Sequence, residues 1–94
     1  MRIRWLQRAV KDLEDIYEYT AAENPIAAGK QVEKIAAYVE FLQDHPGMGR
    51  PGRVYGTREL VITKTPYIAA YRVKKNSLEI LRILHGSRKW PVRF

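Results

Sequence analysis

A segment rich in glycine and proline divides this sequence into two halves with different periodicity. HPGMGRPGRVYG, residues 45 to 56, holds four glycines and two prolines and therefore predicts a loop. Before it, apolar residues recur every three or four positions, which is the spacing of amphipathic helices. After it, runs rich in β-branched and aromatic residues are separated by turn residues, which is typical of strands. The sequence thus predicts a helical half followed by a strand half.

The helical half predicts a pair of antiparallel helices. The first helix, over residues 7 to 23, has an apolar stripe of Leu6, Ala9, Val10, Leu13, Ile16, Tyr17 and Thr20. Asn24 is placed to cap a second helix that begins with Pro25, where a missing N–H costs nothing. The stripe of this second helix is Ala28, Val32, Ile35, Ala36, Val39 and Leu42. The helix must end before Pro46, because a proline disfavours helical geometry in the residue that precedes it.

The remaining apolar runs predict a sheet. A short first strand, IRWL, covers residues 3 to 6, and RELVIT (58 to 63), YIAAYRV (67 to 73) and LEILRIL (78 to 84) form an antiparallel meander. The last run is apolar on both faces apart from Glu79 and Arg82, which favours a central strand. We predict an α+β fold in one domain, residues 1 to 94. Its N-terminal helical hairpin packs on one face of a small twisted, mainly antiparallel sheet, and the other face stays partly open.

Composition argues against several classes of protein. The chain has no cysteine, and its two histidines, His45 and His85, lie too far apart to form a local metal motif. We therefore expect no metal and no cofactor. No apolar run approaches the roughly 20 residues of a membrane-spanning helix, and MRIRWLQR lacks the apolar core of a signal peptide. A cytoplasmic protein with no membrane partner is expected.

The net charge of +7 is concentrated in the strand half. Residues 1 to 45 hold six Lys or Arg and eight Asp or Glu, whereas residues 46 to 94 hold eleven and two. Such a basic half favours an anionic partner, namely nucleic acid, the ribosome or an acidic protein. The alternative is that these side chains only keep a small sheet soluble and protect its edges. The aromatic residues of this half, Tyr55, Tyr67, Tyr71 and Trp90, fit either partner contact or sheet packing.

LRILHGSRKWP, residues 81 to 91, ends the last predicted strand in a cluster of cations, a histidine and a tryptophan. Together with the hairpin broken at NP, the GRPGR loop and RELVITKTPYIAAYRV, it resembles the RelE/ParE superfamily of bacterial type II toxins over essentially all 94 residues. The resemblance implies a growth-inhibiting toxin, of the kind linked to plasmid stabilisation, that forms a hetero-oligomer with a cognate antitoxin. RelE-like members cut mRNA on the ribosome, whereas ParE-like members poison DNA gyrase.

The residues distinguish these two activities. RNA cleavage needs a base, an acid and cations that stabilise the phosphorane. At the positions that the RelE-like resemblance assigns to this task, the chain has Glu59, Val61, Ile68, Arg88 and Phe94, so only Arg88 is matched. A gyrase-poisoning toxin is therefore favoured. A ribosome-dependent nuclease that uses Arg88 and His85 is the alternative, a non-catalytic nucleic-acid-binding module is the second alternative, and whether the chain is an enzyme stays open.

Two groups of residues are expected to bind partners. The target-binding group is Arg82, His85, Arg88, Lys89 and Trp90. Two of these have an alternative structural role, since His85 could fix the strand end by hydrogen bonding and Trp90 could pin the C-terminal tail to the core. The antitoxin-binding group is Val10, Leu13, Tyr17 and Tyr38, because so short a chain cannot bury every apolar residue of the hairpin. Core packing is the alternative for Val10 and Leu13.

Overall fold

The computed structural model describes residues 1 to 94 as two helices packed on one five-stranded sheet. In chain order the elements are β1 (Arg2–Trp5), α1 (Gln7–Ala21), α2 (Pro25–Phe41), β2 (Arg50–Pro51), β3 (Arg58–Val61), β4 (Tyr67–Val73) and β5 (Ser77–His85). The strand order is β1-β5-β4-β3-β2, and only β1 and β5 run parallel. The predicted α+β fold is confirmed. Neither helix is long and apolar enough to cross a membrane.

The start of α2 follows the predicted capping pattern. Asn24 Oδ1 accepts a hydrogen bond from the Ala27 N–H at 3.0 Å, and Pro25 takes the first helical position. The buried stripe of α2 is narrower than predicted, because Ala36 is exposed and Val32 is only half-buried. The fully buried positions are Ala28, Ile35, Val39 and Leu42, which follow a single line along the helix. At 100° per residue, Ala36 lies about 90° from this line and Val32 about 50° from it, where Val32 lines a groove with residues of α1.

The prediction of a loop from 45 to 56 was wrong at one point, because β2 lies within it. Arg50 pairs with Glu59 and Pro51 pairs with Arg58 in an antiparallel register. The strand is two residues long and lies at the edge of the sheet, where a proline is tolerated because its missing N–H faces away from the ladder. A strand of two residues cannot be recognised from the sequence in a segment so rich in glycine and proline.

β5 lies between β1 and β4, as its apolar character predicts. Its pairing with β4 contains a bulge, since Tyr71 faces Ile80 whereas Ala70 faces Arg82, which leaves Leu81 as the extra residue. The bulge shifts the alternation of side chains, so Ile83 and not Arg82 joins Ile80 in the core under the helices. The opposite sheet face carries Glu59, Glu79 and other alternate residues.

Tyr71 fixes the loop that precedes β2. Its side chain is fully buried, and its hydroxyl donates to the Pro46 carbonyl at 2.8 Å while it accepts from the Gly49 N–H at 2.8 Å. A Cβ atom on residue 49 would lie 2.6 Å from the Tyr71 ring and 2.9 Å from the Glu59 carbonyl oxygen. The backbone therefore approaches the tyrosine more closely than any side chain at residue 49 would allow.

Gly49→Ala should destabilise the fold by about 1 to 3 kcal/mol, because the added methyl overpacks a buried site. Gly47→Ala is the matched control, since a Cβ there meets nothing within 4 Å. It should change the free energy of unfolding by less than about 0.5 kcal/mol. Urea unfolding of both variants measures the difference, and equal stability of the two would contradict the close approach at Gly49.

Candidate functional site

The end of β5 and the residues after it form a compact turn, and we call its residues His85, Arg88, Lys89 and Trp90 the C-terminal cluster. The carbonyl of His85 organises this turn by accepting two hydrogen bonds. One comes from the Arg88 N–H at 3.2 Å, and the other comes from the indole Nε1–H of Trp90 at 3.0 Å. The last residue of the strand thus fixes both the path of the backbone and the position of the indole.

A cavity of about 330 Å³ lies between the C-terminal cluster and α1. Arg82 and all four cluster residues line it, so the structure brings the whole predicted target-binding group to one place. The opposite wall comes mainly from α1 and the adjoining strand β4, through Asp12, Asp15, Ile16, Tyr19 and Tyr67. The cavity therefore combines aromatic rings, cations and carboxylates.

Arg82 is occupied by a partner within the protein. Its Nε and Nη2 donate to the two carboxylate oxygens of Asp12 at 2.7 and 3.0 Å, and the side chain is only 18% exposed. The hydrogen bond that Arg82 donates to Asp12 raises the pKa of Arg82 above its ordinary value, against a smaller opposing effect of burial. Asp12 also accepts the N–H of Ile83 at 3.0 Å. Arg82 therefore joins α1 to β5 and lines the cavity as a paired cation.

His85 takes part in the structure of the turn. The Ser87 N–H donates to its Nδ1 at 3.2 Å, and the Ser87 hydroxyl lies 2.8 Å from the same atom. Because Nδ1 accepts from an amide, the neutral ring carries its proton on Nε2. The ring also meets Tyr67 edge-on at 5.7 Å between centroids. These contacts match the strand-end role that the sequence left open for this histidine.

Arg88 and Lys89 are the available cations of the cluster. Both are exposed, and neither forms an ion pair within 4 Å. Their positive charge is therefore directed to solvent or to a partner, in contrast to that of Arg82.

Trp90 rests on a shelf made by Arg53. The guanidinium carbon of Arg53 lies 3.7 Å from the centroid of the indole, which is a cation–π contact, and Trp90 is half-buried. Since the indole is held by Arg53 on its face and by the His85 carbonyl at its edge, Trp90 pins the C-terminal turn to the sheet.

The shelf is positioned by a buried carboxylate. Glu59 is 2% exposed and accepts from the Arg53 N–H at 2.7 Å, from Arg53 Nε at 3.2 Å and from Arg50 Nη2 at 3.1 Å. We call these three residues the Glu59 triad. Burial by itself raises the pKa of Glu59, but the hydrogen bonds from Arg53 and Arg50 outweigh it and hold the pKa below the ordinary value. The carboxylate therefore stays ionised and orients both guanidinium groups.

A second triad of the same composition lies on the same sheet face. Glu79 accepts from Arg72 Nε at 2.6 Å and pairs with Arg4 at 3.6 Å. The hydrogen bond from Arg72 lowers the pKa of this carboxyl. No aromatic ring stacks on either arginine of this Glu79 triad, which distinguishes it from the Glu59 triad.

The other positions assigned to nuclease chemistry carry no cation. Val61 is partly exposed and Ile68 is buried on the face that bears both triads, and Phe94 lies in the C-terminal tail. No three His, Asp or Glu side chains gather into a group that could hold a metal ion.

Three of the four residues predicted to bind antitoxin share one groove. Val10, Leu13 and Tyr17 of α1 line it together with Val32 of α2, and we call it the helical groove. Val10 and Tyr17 are each more than 40% exposed, whereas Leu13 also packs against the core. Tyr38 lies elsewhere, because it packs against the core and its hydroxyl is hydrogen-bonded to the Thr63 hydroxyl. The groove therefore contains an apolar strip bordered by Glu14 and Glu18.

Sequence reasoning missed five residues of the site, Asp12, Asp15, Tyr19, Arg50 and Arg53. In the sequence, Asp12 resembles a solvated helix residue and Arg53 resembles a loop cation. The sequence offers one signal for Arg53, namely that it is the second arginine of GRPGR, a predicted loop segment that lies ahead of Glu59.

Comparison with known proteins finds toxins of the RelE/ParE superfamily throughout. A sequence model described as the ParE toxin of the type II toxin–antitoxin system parDE matches residues 3 to 90. The candidate toxin Y4kP of Sinorhizobium fredii is 42% identical over 90 residues, which cover 96% of this chain and 93% of that protein. Toxin RelE2 of Caulobacter vibrioides is 31% identical over 87 residues, covering 93% and 97% of the two chains.

A solved structure shares the fold. A chain of the chromosomal ParDE toxin–antitoxin system from P. aeruginosa has a TM-score of 0.82 and 37% sequence identity, over 88% of this chain and 92% of that one. Similarity in sequence and in structure therefore extends over nearly the whole domain.

Glu59→Gln should loosen the contact between Arg53 and the Trp90 ring. The neutral amide loses the charge-assisted bonds to both arginines, at a cost of about 1 to 2 kcal/mol in the free energy of unfolding. In a Trp5→Phe background, in which Trp90 is the only tryptophan, the fluorescence of Trp90 should shift to the red and be quenched more strongly by acrylamide.

The same variant tests the pH dependence of stability. The stabilisation from ionised Glu59 is present above its ordinary pKa of 4.5 and is lost as the pH falls through the lower folded pKa. The variant should therefore lose less stability on acidification.

Glu79→Gln is the matched control for this prediction. It removes a carboxylate from the other triad and should also flatten the acid dependence of stability, because the pKa of Glu79 is lowered too. Since no ring stacks on its arginines, Trp90 fluorescence should not change. If both variants changed Trp90 fluorescence equally, a specific role of Glu59 in holding Arg53 against Trp90 would be excluded.

Proposed function

Because the chain belongs to the ParE toxin family of type II toxin–antitoxin systems, we propose that it arrests growth by binding DNA gyrase through the C-terminal cluster. A cognate antitoxin neutralises it by forming a hetero-oligomer. The proposal includes action in the cytoplasm, where gyrase is found, and a role in plasmid stabilisation.

One observation carries this proposal, namely the contrast between the two cation groups. Arg88 and Lys89 are exposed and unpaired beside a fixed indole, whereas Arg50 and Arg53 surround a buried carboxylate at a position where a nuclease would need a free cation. Exposed charged groups without a partner in the protein suit recognition of a complementary surface. The site therefore supports binding of a target protein better than it supports cleavage of RNA.

Electrostatics weakens the case for cleavage. The transition state of RNA cleavage develops negative charge, and each cation or donor placed against it contributes about 2.7 to 4 kcal/mol in comparable sites. On the sheet face, Glu59 and Glu79 each neutralise one of the two arginines beside them. A ribosome-dependent nuclease remains the alternative, because His85 and Arg88 line the same cavity.

Neutralisation is proposed to use the helical groove. An apolar strip flanked by exposed Val10 and Tyr17 fits a segment that buries its own apolar side chains there. Because apolar contacts dominate this groove, the affinity for antitoxin should fall only modestly with salt. A steep salt dependence would favour an interface on the basic strands.

Induction of the toxin alone tests the target. Replication and translation are followed in the first minutes after induction, and early DNA damage with filamentation supports gyrase. An abrupt loss of protein synthesis with cut mRNA supports the nuclease alternative. Normal growth at high levels of folded protein would contradict a toxin active in that host.

Arg88→Ala should reduce toxicity by weakening target binding, since a desolvated charged contact is worth about 2 to 5 kcal/mol. Lys30→Ala is the control, because Lys30 is an exposed, unpaired cation of α2 outside the cluster. Growth inhibition at matched expression measures both. Purified wild type added to translating ribosomes checks the alternative. Cleavage in the ribosomal A site that disappears in Arg88→Ala would replace gyrase binding with RNA cleavage.

Val10→Asp should release the toxin from its antitoxin without reducing toxicity. The charge enters an apolar strip that already has Glu14 and Glu18 beside it, so docking of an apolar segment becomes unfavourable. Co-expressed antitoxin should then fail to rescue growth. Tyr38→Phe is the control and should leave rescue intact, because Tyr38 lies outside the groove. Full rescue of Val10→Asp would place the antitoxin elsewhere.

A further inference from the structure

The loop between β2 and β3 presents Tyr55 entirely to solvent. The side chain is 101% exposed, more than any other large hydrophobic residue of the chain. Tyrosine is costly to leave in this state, since its ring offers a large apolar area that nothing in the protein covers.

The backbone under Tyr55 is fixed by hydrogen bonds. The Gly52 N–H donates to the Thr57 carbonyl at 2.8 Å, and the Val54 carbonyl accepts from both the N–H and the hydroxyl of Thr57, at 3.2 and 2.6 Å. The side chain of Val54 is buried, and Gly56 adopts φ of 78°, a left-handed conformation that closes the turn. The ring is therefore carried by a loop with little conformational entropy to lose on binding.

The same loop forms part of the C-terminal cluster's support. Arg53, which carries the Trp90 ring, precedes Tyr55 by two residues, so their Cα atoms lie within about 7 Å of each other. The loop that bears the exposed phenol therefore contacts the C-terminal cluster through Arg53, so loop and cluster form one surface.

The chemistry of this surface favours a protein over a nucleic acid. The loop's one cation, Arg53, is committed to Glu59 and Trp90, so the tip offers no free charge to a phosphate. Its single ring projects as a convex tip, whereas single-stranded nucleic acids are held in basic grooves with several stacking rings. Tyrosine, tryptophan and arginine together are the residues that dominate protein interfaces.

We propose that Tyr55 is a second anchor for the target, inserted into an apolar pocket whose rim carries carboxylates. This inference rests on the proposed function, because the partner is the protein that the C-terminal cluster grips. The exposed and unpaired cations at this surface, Arg88 and Lys89, supply the complement to an acidic rim.

Tyr55→Ala, Tyr55→Phe and Ile26→Ala test the anchor in the full-length toxin. Ile26 is the matched control, since it is 73% exposed at the start of α2. Growth inhibition at equal expression and affinity for purified gyrase holoenzyme are measured for each. Tyr55→Ala should weaken both by about tenfold or more, and Tyr55→Phe should stay within about twofold, because the ring supplies most of the contact. Ile26→Ala should behave as wild type.

The outcomes separate this inference from the proposed function. If wild type arrests growth but does not bind gyrase, the gyrase target is wrong, and the growth comparison still decides whether Tyr55 is an anchor. If Tyr55→Ala is as toxic as wild type, the anchor is excluded. A lower melting temperature of Tyr55→Ala would also overturn it, since it would assign the ring a structural role. Binding of a short single-stranded DNA probe that depends on Tyr55 would replace the protein partner with a nucleic acid.

Discussion

The carboxylate of Asp12 joins the helical half of the chain to the strand half, and the geometry of the site depends on it. β1 pairs with β5 only as far as Ile80, so the outer edge of β5 beyond that residue has no strand beside it. Asp12 takes the place of that strand by accepting the Ile83 N–H and both donors of Arg82. The side chains of the pair are 18% and 13% exposed, so removal of either partner leaves a partly buried charge. One contact therefore sets the orientation of α1 and the position of the strand end from which the C-terminal cluster emerges.

Under the proposed function, the sheet face opposite the helices supports binding without nuclease chemistry. A nuclease needs guanidinium groups that reach the transition state unpaired. Here Glu59 and Glu79 each pair with two arginines, so the guanidinium groups are fixed and half of their positive charge is neutralised. In the Glu59 triad, Arg53 also contacts Trp90, because the face of its guanidinium group packs on the indole ring. Glu59, at a position that the RelE-like resemblance assigns to a cation, thus helps to build a rigid surface beside it.

Local order was predictable from the sequence, and long-range pairing was not. The helix start at NP, the strands and the contiguous C-terminal cluster follow from short-range rules of capping, periodicity and turn chemistry. The ion pair of Arg82 with Asp12 spans 70 residues of sequence, and the stacking of Arg53 on Trp90 also depends on strand register. Register in turn depends on the bulge at Leu81, which no local pattern indicates. Arg82 could therefore be assigned to the cluster from the sequence, but its pairing within the protein could not.

Helix α1 forms a wall of both proposed binding surfaces, and this arrangement links neutralisation to toxicity. Tyr17 and Glu18 face the helical groove, whereas Asp15 and Tyr19 line the cavity beside the C-terminal cluster. Residues two apart on a helix point about 200° from each other, so the two surfaces lie back to back across one helix diameter of roughly 10 Å. An antitoxin segment that fills only the groove leaves the cluster uncovered. Under the proposed function, neutralisation therefore requires the antitoxin to continue around the C-terminal end of α1 toward Tyr19, or its bulk to keep gyrase away from the cluster.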